Sequence, residues 1–425
     1  MGVERNRPTQ ARAGEWAARS TGALLLIAGS LAAPCALAAP ASGDVTIDNL
    51  TFTATDGDAF TIPHVEFDNT NLTKDEIVKL FSPDTPVDEE RALALKLKAD
   101  KIAIASIDIL GKDNSKIHLS GLNARAVDSG KMGILDLASI SATGPADGGT
   151  VSVNAGALHV DGLDAPFLLA DASAQSASLV HLGGLTLNGI DIVAPDFGGE
   201  AGQTDHIAIA SVVVQNRYTT DVVSTNLSKV TGVVFEASAG SDTAKELASL
   251  GYPKLELSLT AGFTYDEKAQ TLTFGEITID GAQMGSIGFQ ASLTNVAPAL
   301  FGGDRATAAQ ALIEAGVASL QLKLVNAGLF DKGLAYLAKQ EGVASADLRK
   351  QWSTTAGTIA PVMLGGDPSG LALGSETQKF IADPKSLSVV VKAKSGAIKA
   401  GDFMTMGDDP TAFVGKLDIT AAANR

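Results

Sequence analysis

The sequence predicts a mainly β protein of the α+β class, a long antiparallel sheet, twisted or curved, with a C-terminal helical insert. Three observations predict it. From 45 to 294 short runs alternate apolar and polar residues with period two, as strands do when one face is buried. Gly, Asn and Asp clusters such as Gly111-Lys112-Asp113-Asn114 and Asp147-Gly148-Gly149-Thr150 separate the runs, and these residues tolerate the turns that join antiparallel strands. After Pro298 the pattern shifts to helical stretches bounded by Gly and Pro.

Within the strand region the alternation slips by one residue in three places. It slips at Ala105-Ser106 inside 102–109, at the matching place in 206–212, and at Gly275-Glu276 inside 271–279. A one-residue slip is what a β-bulge produces, and it bends the sheet. Asp100-Lys101-Ile102-Ala103-Ile104-Ala105-Ser106 recurs as Asp205-His206-Ile207-Ala208-Ile209-Ala210-Ser211, the mark either of a duplicated β unit or of coincidence among Ala/Ile-rich strands. Two short helices interrupt the strands early. Thr73-Lys74-Asp75-Glu76 fits a capping box followed by Ile77, Leu80 and Phe81 on one face, and a second helix covers 87–97.

The later elements follow from caps and breakers. Helices are expected over 306–315 and over 330–341, the latter capped by Gly342. A third begins at Ser345 and runs to about 355, with Gly357 and Pro361 marking its end. Ser375-Glu376-Thr377-Gln378 reads as a capping box opening a fourth helix that Pro384 ends. Leu320-Gln321-Leu322-Lys323-Leu324 alternates cleanly as a strand. Strands return at 386–394, with Leu387, Val389, Val391 and Ala393 on one face, and at 416–422. The organisation is therefore a signal peptide over 1–38, a β-rich region with two short early helices over 39–297, a helical insert over 298–385, and C-terminal strands over 386–425 that complete the sheet.

Arg5, Arg7, Arg12 and Arg19 precede an uncharged Leu/Ala-rich run over 22–33, and Ala36-Leu37-Ala38 supplies the small residues that signal peptidase accepts. Cleavage is expected after Ala38, placing the protein in the periplasm or outside the cell. The run is too short for a confident span, which takes about 20 apolar residues, and Pro34 breaks it. No stable membrane span is expected after cleavage. A retained anchor and lipidation at Cys35 are the competing readings, the second disfavoured by Pro34. Removing 1–38 leaves no cysteine, which excludes disulfides, a thiol nucleophile and cysteine metal sites.

With 48 acidic against 32 basic side chains the chain is strongly acidic, a poor match for the phosphates of nucleic acid or for anionic headgroups. There is no phosphate loop, Rossmann glycine pattern or Gly-x-Ser-x-Gly elbow. His64, His118, His159, His181 and His206 show no local ligand spacing. Those in strands alternate against apolar neighbours and read as solvent-facing; a His159–His181 cluster would require adjacent strands. No enzyme and no cofactor are expected. Asp56 and Asp58 flank Gly57 in a turn, the best place for calcium, yet no complete calcium loop follows. Glu89 with Glu90 and Asp408 with Asp409 are the other close carboxylates. In the insert, Trp352 is read as core or ligand-facing. Leu329, Tyr336 and Leu337 are apolar enough to plug a sheet end. With Gly328, Gly333, Gly342, Gly365 and Gly366 as joints they could instead gate a groove. Trp352, Tyr336 and Leu337 are therefore the candidate ligand contacts.

Gly328-Leu329-Phe330-Asp331-Lys332, Lys339-Gln340-Glu341-Gly342-Val343, Phe380-Ile381-Ala382-Asp383-Pro384-Lys385-Ser386-Leu387 and the early Thr70-Asn71-Leu72-Thr73-Lys74-Asp75-Glu76-Ile77 resemble uncharacterised envelope proteins of alphaproteobacteria. More distantly, the chain is similar to the AsmA-like and YdgA-like periplasmic β proteins. That resemblance implies a role in lipid and envelope homeostasis and brings no catalytic residue. The expected function is a non-enzymatic exported envelope protein that binds or shields lipid, another apolar ligand or an envelope protein in a β groove. The alternative is a periplasmic or extracellular binding module, either an adhesin-like surface protein or a calcium-loaded sheet.

Overall fold

A computed structural model describes residues 43–54, 57–82, 84–164, 181–195, 202–220, 222–301, 305–364, 366–399, 401–402 and 410–425. The protein is mainly β, with one large antiparallel sheet of 18 strands and helices mostly toward the C-terminal end, the expected fold class. The chain divides into two compact units. One takes in Glu236–Ser241 with the described residues up to Val213, the other Val214–Phe235 with Asp242–Arg425.

In the first unit β1 (Gly43–Thr53), β2 (Ala59–Thr70), β3 (Lys98–Leu110) and β4 (Lys116–Asp128) pair in sequence order. Beside β4 the ladder divides. One half of β4 pairs with β5 (Lys131–Leu137) and the other with β6 (Ser139–Ala146). β6 pairs with β7 (Gly149–Ala155) and β5 with β8 (Leu158–Asp164), and both halves rejoin on β9 (His181–Pro195). β10 (Thr204–Thr219) follows.

This division explains the slip at Ala105-Ser106. Ile102, Ile104, Ile107 and Ile109 are all buried, so the buried face does change by one residue. The pairing does not shift, because Ile104 opposes Leu122 and Ser106 opposes Ser120. The expected one-residue bulge is therefore corrected here. β3 and β4 turn over together, with Gly121 in the left-handed region at φ +63°, where only a residue without a Cβ is unstrained. The seam continues at Ala138, whose N–H donates to Ser120 O, and at Gly156, whose N–H donates to Asn188 O. At Gly275-Glu276 the expectation holds, for the β13–β14 register shifts between Phe274 and Ile277. The two copies of the seven-residue repeat lie on β3 and β10, but Asp100 is exposed and Asp205 is buried.

α1 (Lys74–Leu80) carries the expected capping box. Thr73 Oγ1 accepts from Glu76 N and Glu76 Oε2 accepts from Thr73 N. Ile77 then enters the core of β2–β4, with Leu80 and Phe81 packed beside it. α2 (Val87–Lys96) adds Leu93 to the same core.

The second unit continues with β11 (Val222–Glu236), α3 (Asp242–Ser249), β12 (Leu255–Asp266), β13 (Thr271–Gly281), β14 (Gly285–Thr294), α4 (Arg305–Glu314) and β15 (Gly316–Asn326). Then come α5 (Leu329–Glu341), α6 (Ser345–Met363), α7 (Pro368–Ala382), β16 (Ser386–Ala393), β17 (Ile398–Lys399), α8 (Pro410–Gly415) and β18 (Leu417–Ala423). Gly342 caps α5 at φ +69°, as expected. α3 had no counterpart in the sequence reading.

Two helix boundaries correct the sequence reading. α6 does not stop near 355 but runs through Gly357 and Pro361 to Met363. A proline in a helix frees a carbonyl and crowds the preceding turn. α7 packs closely against this turn through its glycines, since a Cβ on Gly374 would stand 3.1 Å from Pro361 Cδ and 3.2 Å from Ala356 O. α7 begins at Pro368, not at Ser375, because Asp367 caps it through Ser369 N and Pro368 supplies the pre-set first φ. Ser375-Glu376-Thr377-Gln378 is mid-helix, and Glu376 Oε2 accepts from Ala423 N of β18.

Candidate functional site

The polar face of the first unit gathers the histidines. Register places His64 opposite Asp48, His118 opposite Asp108, His159 opposite Asp136 and His181 opposite Asp164. His206 Nε2 lies 2.7 Å from Asp191 Oδ2, so all five histidines have a cross-strand aspartate partner. His64, His118, His159 and His206 are half-exposed, in keeping with solvent-facing positions. His159 and His181 do sit on adjacent strands, but His159 opposes Thr186 and His181 opposes Asp164, five positions away. At about 3.4 Å per residue that is roughly 17 Å, so the two rings form no cluster.

Three imidazoles are bracketed by carboxylates on both ring nitrogens. His64 has Asp48 at 2.6 Å and Glu66 at 3.0 Å. His159 has Asp136 at 2.6 Å and Asp161 at 3.1 Å, and His206 has Asp191 at 2.7 Å and Glu236 at 3.8 Å. Only the imidazolium donates from both nitrogens, so the brackets favour the charged ring. The hydrogen bond His64 donates to Glu66, then the one to Asp48, raises its pKa. The bonds His159 donates to Asp136 and His206 to Asp191 do the same for these rings.

Asp108, His118 and Ser141 stand in one cross-strand row in a concavity of about 460 Å³ lined also by Thr61, Lys116 and Thr143. His118 Nδ1 is 2.7 Å from Asp108 Oδ1. A nucleophilic serine needs its base within hydrogen-bond reach. Among the described residues no hydrogen bond joins His118 to Ser141, and the row reads as one more cross-strand polar ladder.

The second unit holds a different surface. Its sheet is two-faced. Val230, Leu259, Ile279, Ile287, Leu324, Leu387 and Ala423 oppose one another in turn across β11 to β18. Beside this row on the same face run Ile277, Phe289, Leu322, Val389 and Ala421. The other face shows Ser258, Asp280 and Ser286 at the corresponding register. Side chains alternate along every strand, so one face is continuously apolar.

The helices cover only one end of that face. Phe330 of α5, Trp352 and Ala356 of α6, and Phe380 and Ile381 of α7 pack on Leu324, Leu387, Val389 and Ala423. Leu387 is 7% exposed. Two strands away in the same row, Ile287 is 49% exposed, and Ile279 beyond it 48%. Leu259 and Leu322 are exposed as well. Large contiguous apolar patches are candidate interaction surfaces, and this strip is left open by the helices.

Trp352 belongs to the covered end, edge-on to Phe330 at 6.2 Å, with Arg349 over the Phe330 ring and bonded to Asp331 at 2.6 Å. Tyr336 is half-buried and Leu337 exposed on α5. The bare strip is made instead by strand residues that the sequence reading did not single out. Their signal was the alternation of Ile277 with Ile279 and of Ile287 with Phe289. The cross-strand register that aligns them is invisible in one dimension. Asp56, Asp408, Asp409 and the whole signal segment lie outside the described residues. Asp58 accepts from Lys112 N at 3.2 Å, and Glu89 pairs with Lys79 at 2.7 Å. Among the described residues no group of three His, Cys, Asp or Glu could hold a metal ion, and no helix is long and apolar enough to cross a membrane.

A family model described only as "Uncharacterized protein" matches residues 278–424, which contain β14 through β18 and the helices that cover the apolar face. A search of curated proteins returns no match.

Proposed function

We propose that this is a non-enzymatic exported envelope protein that holds a long apolar ligand, a lipid acyl chain, against the uncovered apolar face of its second unit. The observation that supports the reading is the change in exposure along one row, from Leu387 beneath the helices to Ile287 and Ile279 in the open. The strip crosses three strands at Leu259, Ile279 and Ile287, and at about 4.8 Å per strand it offers roughly the width of an acyl chain laid among side chains. Covering half-exposed aliphatic side chains contributes roughly 1 kcal/mol each. A few such contacts suffice for a transported ligand, which must also leave. The N-terminal pattern ending at Ala36-Leu37-Ala38 supports export to the periplasm or beyond.

The test is native mass spectrometry of protein purified from an envelope extract, with N-terminal sequencing of the same sample. The reading expects co-purified lipid and a chain beginning at or near Ala39. Protein free of lipid, and unable to take up fatty acid or phospholipid when offered, would discard the ligand. An intact Met1 in a cytoplasmic fraction would discard the export.

A further inference from the structure

We propose that the concavity on the polar face of β2, β3, β4 and β6 binds an acidic sugar, a hydroxyl-rich small molecule carrying one carboxylate or phosphate, with Lys116 holding the acid group and His118 a hydroxyl. The inference is independent of the lipid reading, because the concavity lies in the first unit and shares no residue with the apolar strip of the second.

Register builds the site from two rows of side chains, two residues apart on each strand. Thr61, Asp108, His118 and Ser141 oppose one another in turn across the four strands. Leu110, Lys116 and Thr143 do so in the next row. Side chains two apart on a strand share a face, so both rows line the same concavity of about 460 Å³. That volume falls within the range of small-ligand sites, about 300–1,000 Å³. The ladders hold both rows in place, so the site is assembled before any ligand arrives.

The chemistry of the two rows selects the ligand. A carboxylate only accepts, so the 2.7 Å contact with Asp108 places a proton on His118 Nδ1. The neutral ring then keeps a lone pair on Nε2, free to accept from a ligand hydroxyl. His118 differs here from His64, His159 and His206, whose second nitrogens also face carboxylates. Lys116 supplies the cation. Lysines elsewhere on this sheet are paired, Lys98 with Asp128, Lys101 with Asp68 and Lys131 with Asp164. Among the described residues Lys116 makes no ion pair, and Asp108, diagonal to it, is engaged by His118. The hydroxyls of Ser141 and Thr143 stand beside these two groups and can donate or accept. Leu110, 49% exposed among polar neighbours, offers an aliphatic contact for the C–H face of a sugar ring. A bare oxyanion would leave Nε2 without a donor, and a neutral sugar would leave the ammonium without a counter-charge. A ligand with both groups meets the whole site. The acidic excess of the chain does not decide the matter, since charges farther than about 8 Å are largely screened at physiological salt.

The test titrates the full chain, at fixed pH, with glucuronate, glucose 6-phosphate, glucose and inorganic phosphate. Histidine Cε1–H resonances report binding, with the His118 line assigned through His118→Gln. Glucuronate and glucose 6-phosphate are expected to shift the His118 line saturably and to leave those of His64 and His159 in place. Glucose and inorganic phosphate should each bind at least about tenfold more weakly, because each meets only part of the site. Lys116→Ala, at an exposed position, should keep the fold by circular dichroism and weaken glucuronate binding at least about tenfold. A His118 line unmoved by both acidic sugars would overturn the proposal. So would inorganic phosphate binding as tightly as glucuronate, or glucuronate affinity unchanged in Lys116→Ala.

Discussion

Asp136 Oδ1 lies 2.6 Å from His159 Nδ1 across the β5–β8 ladder, and Asp161 on the histidine's own strand lies 3.1 Å from Nε2. Arg125 of β4 reaches the same Asp136 at 3.1 Å, and Thr186 of β9 faces the ring from the other side. Each nitrogen meets an acceptor, and only protonation supplies a donor to both. His64 and His206 repeat the arrangement, with Lys101 acting on Glu66 near the first.

The folded first unit is therefore predicted to hold protons that the unfolded chain releases. The pKa values of His64, His159 and His206 are raised in the folded state. Their contribution to stability is complete below the unfolded value of about 6.5 and is lost as pH rises through the folded values. Histidine Cε1–H resonances should titrate above 6.5 for these three rings. The melting temperature should fall as pH rises above about 6.5 in the wild type, and less in a variant carrying His64→Gln, His159→Gln and His206→Gln. Midpoints at or below 6.5 for all three would refute the bracketed-ring account.

The apolar face yields a contrast within one row. Leu387→Asp puts an unpaired charge beneath α5–α7 and is expected to cost several kcal/mol. Ile287→Glu, at a half-exposed site, should lower stability by about 1 kcal/mol or less while removing bound lipid. Chemical denaturation beside native mass spectrometry reads both effects. Lipid retained by Ile279→Glu with Ile287→Glu would move the ligand elsewhere.

How much of this was legible in the sequence differs by element. Period two and turn residues gave the β class and the bulge at Gly275-Glu276, because alternation is a local property of the chain. The capping box at Thr73 and the Gly342 cap are local too, and both stand in the structure. The end of α6 was misread because the breaking tendency of Pro361 is local, while the packing of α7 against that turn through Gly370 and Gly374 involves another helix. The five cross-strand aspartates and the Leu259–Ile279–Ile287 strip depend on register across separate strands. They became visible only when the ladders were in hand.

Thr73→Ala removes the acceptor for Glu76 N and loosens the reciprocal bond from Thr73 N to Glu76. The expected cost is about 1 kcal/mol. It should appear as faster hydrogen exchange confined to the first turn of α1, since Ile77 still anchors the helix in the core. Exchange accelerated throughout β2–β4 would show that the cap supports far more than its own turn.

Gly333 of α5 and the glycine pair Gly370 and Gly374 of α7 should respond oppositely to alanine. Gly333 lies in α5 with nothing within 4 Å of where a Cβ would stand. Gly333→Ala there removes unfolded-state freedom without a clash and should stabilise by about 0.5–1 kcal/mol. Gly370 and Gly374 face α6 at contact distance. Gly374→Ala must push the Pro361 ring and the Ala356 carbonyl apart. Gly370→Ala meets Leu364 Cβ at 2.8 Å, closer than a real Cβ contact allows. Overpacking of this kind costs about 1–3 kcal/mol. The loss should be local to the α6–α7 pairing and leave the Phe330–Trp352–Phe380 cluster intact, because that cluster lies toward the other end of both helices. Denaturation midpoints, with Trp352 fluorescence reporting on the cluster, measure the two outcomes separately. A Gly370→Ala variant as stable as the wild type would show that the helices stand farther apart than these contacts require.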